Sequence, residues 1–210
     1  MTAATTPAKP RKSPVQARSV ATVEAIHTAT IQVLVAEGLA RCTTTRVAER
    51  AGVSVGSLYQ YYPNRSALLA AVLRCHLDQV TEAVEQACLA QRSQPIAEMA
   101  QGLVNAFIGA KLKDPAASKA LYAVADGHGG TALVNHAKAR IHKAVALMLS
   151  TAPGVRFEEL QTVSLLATSA MIGPAQALLE EDVSPAFTQA LRLHLCTLVQ
   201  AYLQSVAQPV

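Results

Sequence analysis

Apolar residues recur at helical spacing along nearly the whole chain, and proline or glycine interrupts them at intervals of about one helix length. No run of alternating β-branched residues bounded by turns competes with this pattern, so there is little from which to build a sheet. Alanine fills 40 of the 210 positions and glycine only 10. Much of the hydrophobic 51% is therefore a strong helix former of small volume. That fraction also excludes a disordered or collagen-like chain. The expected class is all-α.

The punctuation marks out the helices. The first runs from about Val15 to Glu37, with Val23, Ile26, Thr30, Val33 and Leu34 on one face and Gly38 as its stop. Thr43-Thr44-Thr45 offers hydroxyl caps for a short helix to Ala51, Gly52 breaks the chain, and Ser54 can cap another through Tyr61. After Pro63-Asn64 comes a long helix over about 66–91, whose buried face carries Leu69, Val72, Leu73, His76, Val80 and Val84. Pro95 opens a helix to about Lys113 and Pro115 one to about Asp126, which the loop Gly127-His128-Gly129-Gly130 ends. Helices are expected at about 131–150, at about 157–180 with an interruption or kink at Gly173-Pro174, and at about 185–206.

Charge is unevenly divided. Residues 1–65 hold eight Lys/Arg and three acids, a net of +5, which leaves −1 for residues 66–210 of the overall +4. The first third thus carries all of the basic excess, as a polyanion partner requires. Three parts are expected: a basic arm (1–14, with Lys9, Arg11 and Lys12), a head (15–65) and a body (66–210). The arm has no apolar core of a signal peptide. Cys42, Cys75, Cys88 and Cys196 are scattered, without a C-x-x-C pair or zinc-finger spacing, and read as reduced thiols of a cytoplasmic protein. Leu160 to Leu179 is free of charge and long enough to cross a bilayer, but it contains too many polar residues for a span. No membrane partner is expected.

Two short helices around a glycine turn, after a longer helix and within the basic third, have the layout of a helix-turn-helix. Gly52 permits positive φ in the turn and Val53 buries between the helices. Val47, Ala48 and Ala51 form a small apolar seat, and Leu58 and Tyr62 point back to the core. Val55, Ser57, Tyr59, Gln60 and Tyr61 face outward to different degrees, and no acid occurs from Gly52 to Leu77. Such a surface suits a nucleic acid. The 27 residues from Thr43 to Leu69, TTTRVAERAGVSVGSLYQYYPNRSALL, resemble the DNA-binding signature of the tetracycline-repressor (TetR) family. The likeness covers about residues 18–70. The family usually has Phe where Tyr62 stands and Lys where Arg65 stands; both replacements keep a buried ring and a cation.

The resemblance implies an N-terminal three-helix DNA-binding domain and a C-terminal antiparallel helical domain for effector binding and dimerisation. It implies phosphate contact at Thr44, with Thr45 and Arg46 near the groove edge, and base-edge approach by Val55, Gly56 and Ser57. It also implies phosphate contacts from the hydroxyls of Tyr59 and Tyr61, and a backbone clamp from Arg65. The resulting reading is a transcriptional regulator, most simply a repressor released from a palindromic operator by a small, lipophilic effector. Its homodimer would form through the helices at about 157–180 and 185–206, and those charge-free stretches by themselves fit a large apolar interface. Effector candidates are the larger residues of the middle helices: His76, Met99, Leu103, Phe107, Tyr122 and Met148. The body has no nucleophile motif, phosphate loop or paired carboxylates, and no cofactor is expected. His136 and His142 lean to different helix faces, so no metal site is expected from them with His128. An unrecognised enzyme and a sequence-indifferent DNA-coating protein remain as alternatives.

Overall fold

A computed structural model describes residues 14–125, 130–180 and 183–210. The expected arm, with Lys9, Arg11 and Lys12, and His128 with most of its glycine loop lie outside them. The described residues form helices α1 (Pro14–Glu37), α2 (Thr44–Ala51), α3 (Val55–Tyr61), α4 (Arg65–Ala90), α5 (Ile96–Lys111), α6 (Pro115–Ala125), α7 (Gly130–Leu149), α8 (Leu160–Glu180) and α9 (Pro185–Val206). A 3₁₀ turn, Leu39–Arg41, joins α1 to α2, and the two-residue strands β1 (Val155–Arg156) and β2 (Gln208–Pro209) pair antiparallel. The chain is all-α, as its periodicity requires.

Local chemistry sets the boundaries. Gly38 and Gly52 take φ of 79° and 68°, which other residues rarely adopt, and so end α1 and α2. Of the three threonines, Thr43 is the N-cap, its hydroxyl accepting from Arg46 N–H at 3.3 Å. Helix α5 stops at Lys111, not Lys113, because Asp114 caps the next helix by accepting from Ala117 N–H at 2.9 Å, and a residue before proline resists helical geometry. Helix α8 begins at Leu160, not 157, since the chain leaves β1 at Arg156 and passes through a turn at 158–159 before the helix. It then runs through Pro174 without interruption; proline removes one backbone donor, and the rest of the ladder carries the helix past it.

Two hydrophobic clusters hold the molecule. The first joins Ile26, Val33 and Leu34 of α1, Val47 and Ala48 of α2, Leu58 of α3, and Leu68, Leu69, Val72 and Leu73 of α4 to Leu121 and Val124 of α6. The second gathers α5, α7, α8 and α9 around the later half of α4. Helices α4 and α6 therefore serve both regions: α4 contributes to both clusters, while α6 packs on α1 and also meets α8. Along α8, Val163, Ala167, Met171, Ala175 and Leu178 are buried, while Leu165 and Leu166 are exposed. Two segments, Ser19–Glu37 and Leu160–Leu179, are long and apolar enough to cross a membrane, with mean hydropathy 1.3 and 1.4. The second is a packed helix whose Ser164 and Thr168 hydroxyls donate back to its own carbonyls.

Candidate functional site

Helix α3 stands on the first cluster through Leu58, which is wholly buried and contributes about 2 kcal/mol by leaving water. Ser54 caps it, accepting from Ser57 N–H at 2.9 Å, and Ser57 Oγ lies 2.8 Å from Ser54 Oγ. Asn64 caps α4 in turn, accepting from Ala67 N–H at 2.8 Å. Gly56, Tyr59 and Gln60 are exposed, while Val55, Ser57 and Tyr61 are half-buried. On α2, Thr45 and Arg46 are exposed and Thr44 is half-buried. Tyr59 Oη lies 3.2 Å from Thr44 Oγ1, so the two hydroxyls sit together at the edge of the face. The result is an exposed polar surface without a carboxylate on α3.

Arg65, Arg46 and Tyr61 also have partners within the protein. The guanidinium of Arg65 turns inward, Nε donating to the Cys42 carbonyl at 2.6 Å and Nη2 to that of Leu39. It ties the start of α4 to the turn between α1 and α2, a structural duty that charge and position alone did not indicate. Arg46 is ion-paired with Glu37. Tyr61 packs against the first cluster. Tyr62 does so as well, with Oη 2.7 Å from His27 Nε2.

A second site lies where α4 to α8 meet. A cavity of about 100 Å³ is walled by Leu73 and Val80 of α4, Phe107 of α5, Leu121 of α6, Ile141 of α7 and Ile172 of α8. Of the expected residues, His76, Phe107 and Tyr122 line it. Met99, Leu103 and Met148 do not: all three are wholly buried in the second cluster. The cavity opens only at the last turn of α5, so along the stripe Met99, Leu103, Phe107 and Lys111 only the last two reach it. Met148 sits two turns beyond Ile141. Lys111, Ser118 and Lys138, which sequence reasoning missed, also line the cavity. Lys111 had a visible signal, being a charge that continues the buried i, i+4 stripe of α5.

The polar groups here are interlocked. Ser118 Oγ donates to the Lys111 carbonyl at 2.7 Å and lies 3.4 Å from His76 Nε2; with its proton used, it can only accept from the imidazole. Burial, helped by the Lys111 charge, lowers the His76 pKa from 6.5 to about 4, so the ring is neutral at pH 7. Across pH 6.5 to 4 the native protein therefore holds fewer protons than the unfolded chain, and stability falls as pH falls. The loss is complete below pH 4, at about 3 kcal/mol. His76→Gln is expected to flatten this part of the melting temperature against pH curve; equal slopes in both proteins would refute the assignment. On the outside, Arg140 of α7 binds Glu85 of α4 in a bidentate pair at 2.8 and 3.1 Å and reaches Asp78 at 2.8 Å, which fixes α7 against α4 beside the cavity wall.

Residues 26–72 match the family model described as bacterial regulatory proteins, tetR family, and residues 95–203 match the one described as tetracyclin repressor-like, C-terminal domain. No curated protein matches the chain. Solved structures with the same fold include a transcriptional regulator from Rhodococcus sp. RHA1, 20% identical, covering 90% of this chain and 98% of that one, with a TM-score of 0.70. A TetR family transcription regulator from Marinobacter aquaeolei VT8 is 16% identical, covering 92% and 99%, with a TM-score of 0.68. A structure from Mesorhizobium loti MAFF303099, described as a TetR-family regulator, is also 16% identical with the same coverages and a TM-score of 0.73.

Proposed function

Since the chain belongs to the tetR family of bacterial regulatory proteins, and is a DNA-binding regulator rather than an enzyme, we propose that it is a cytoplasmic repressor, homodimeric through α8 and α9, that a small effector releases from a palindromic operator. The observation that carries the reading head is α3 itself: capped at Ser54, anchored by Leu58, and exposing Gly56, Tyr59 and Gln60 without an acid. Val55, Gly56 and Ser57 face base edges in the major groove. Thr44, Thr45, Arg46, Tyr59 and Tyr61 lie toward phosphates, and Arg65 acts by holding α4 to the head. Phosphate contacts set position and the few groove contacts set sequence.

The dimer is supported by apolar residues left in solvent on α8 and α9. Leu165, Leu166, Leu193 and Leu198 are each about half exposed, and a groove across the two helices is lined by Leu166, Ala170, Leu198 and Tyr202. Release is supported by the double duty of α4 and α6. Leu73 of α4 and Leu121 of α6 belong to the first cluster and also line the cavity, so a ligand that alters the cavity shifts the base of the reading head. Half-sites one DNA turn apart, about 34–36 Å, then fit one dimer state better than the other.

The test is to select binding sites from random duplexes and compare the best site with scrambled DNA at one fixed salt concentration. A ratio of at least about 10³ is expected. Equal affinities with a steep salt dependence would instead identify a sequence-indifferent DNA-coating protein.

A further inference from the structure

Lys111 is the least expected residue in the cavity. The residue is only 9% exposed. The ion pairs among the described residues are Arg46 with Glu37 and Arg140 with Asp78 and Glu85, so Lys111 takes part in none. Its ammonium lies 4.9 Å from the centroid of the Tyr122 ring, a partial offset for a charge out of water. The described residues lining the cavity include a second cation, Lys138, and no Asp or Glu. Burial holds the Lys111 amine below its ordinary pKa.

Two of the hydroxyls lining the cavity spend their protons inside the protein. Ser118 donates its hydroxyl proton to the Lys111 carbonyl and Thr81 donates its own to the Leu77 carbonyl. Toward a guest these two hydroxyls offer only lone pairs, so the charged donors it can meet are Lys111 and, on the α7 wall, Lys138. A cationic guest would meet like charge, and a neutral one would leave the ammonium uncompensated. An apolar guest with one anionic head would satisfy both the ammonium and the walls. Size narrows the class further: the cavity measures about 100 Å³, less than the void of about 150 Å³ that holds benzene, so a single ring is the most it can take, and only with part of the guest at its mouth.

We propose that the cavity binds a small apolar monocarboxylate, a single ring or short acyl chain, with its carboxylate against Lys111 Nζ and its apolar part among Leu73, Val80, Phe107 and Ile141. This rests on the reading of the cavity as the effector site. It also supplies a route for release. The Lys111 carbonyl is held by Ser118 of α6, and α6 sends Leu121 and Val124 into the cluster beneath the reading head.

Calorimetric titration of the full chain with benzoate, benzyl alcohol and benzylamine, three probes of similar size and different charge, tests the class. Wild type is expected to bind benzoate at least tenfold more tightly than benzyl alcohol, and benzylamine not measurably. Lys111→Met and Lys111→Gln are both expected to lose at least tenfold toward benzoate and to keep or improve the affinity for benzyl alcohol. Both are expected to melt no lower than wild type, because each removes a buried charge that no acid among the described residues pairs. Benzyl alcohol binding wild type as well as benzoate does, full benzoate affinity in folded variants, or no binding of benzoate would each overturn the proposal. DNA release is measured separately. Benzoate that binds without weakening operator binding overturns the effector role and leaves the ligand class standing. Release by a neutral or cationic compound while benzoate fails to bind does the reverse.

Discussion

Gly56→Glu is expected to abolish specific DNA binding, by at least about a hundredfold, in a protein that melts no lower than wild type. Gly56 is exposed in the first turn of α3, and a Cβ there meets nothing nearer than Ser54 Oγ at 3.8 Å. Its backbone is helical, so glutamate adds no strain, and replacing glycine in a helix gains up to about 1 kcal/mol. The new carboxylate would project where the reading head approaches phosphates and base acceptors. A misplaced like charge costs several kcal/mol at an interface, each 1.4 kcal/mol is a factor of about ten, and a dimer carries the change twice. Mobility shift on the selected operator, with calorimetric melting of the same sample, separates lost binding from lost fold. Near-wild-type affinity would show that α3 does not face the groove. Gly56→Ala, without the charge, should stay within about tenfold of wild type.

Leu198→Arg should convert the dimer to a folded monomer. Leu198 is 52% exposed on α9, where it borders the groove with Leu166, Ala170 and Tyr202; an arginine there is harmless to the monomer and uncompensated inside an apolar seam. Sedimentation at micromolar concentration reads the change directly. Operator affinity should fall by about 10² or more, because two half-sites no longer share one bound molecule. A variant that sediments as a dimer would move the seam away from α8 and α9.

The head was largely legible because its rules are local. Thr43, Gly52, Ser54 and Asn64 act on neighbours three or four residues away, and the apolar seat under Leu58 follows from helical spacing. The cavity was only half legible. His76, Phe107 and Tyr122 line it, but Met99, Leu103 and Met148 share their size and hydrophobicity and lie in the core. Periodicity says which face of a helix is buried; how far along that face a void opens depends on how five helices cross. Arg65 shows the same limit. The sequence places a cation beside the reading helix, and only the packing of α4 on the turn at Leu39–Arg41 decides that its guanidinium points inward. The polar residues of α8 already argued against a span, but which of its apolar residues are buried and which exposed follows only once α7 and α9 are laid beside it.

Helices α4 and α6 touch both the reading head and the cavity, and this sharing has a reciprocal side. Whatever factor the ligand takes from operator affinity, the operator must take from ligand affinity. On the proposed reading, DNA competes with a molecule it never touches. A dissociation constant measured on free protein would overstate how readily the ligand engages protein already on its site, and the concentration that releases the operator rises with the coupling itself. Sensitivity and leakiness are then tuned by one quantity. A substitution that loosens α6 from α1 would bring the ligand affinities on and off DNA closer together, leaving α4 to carry what response remains.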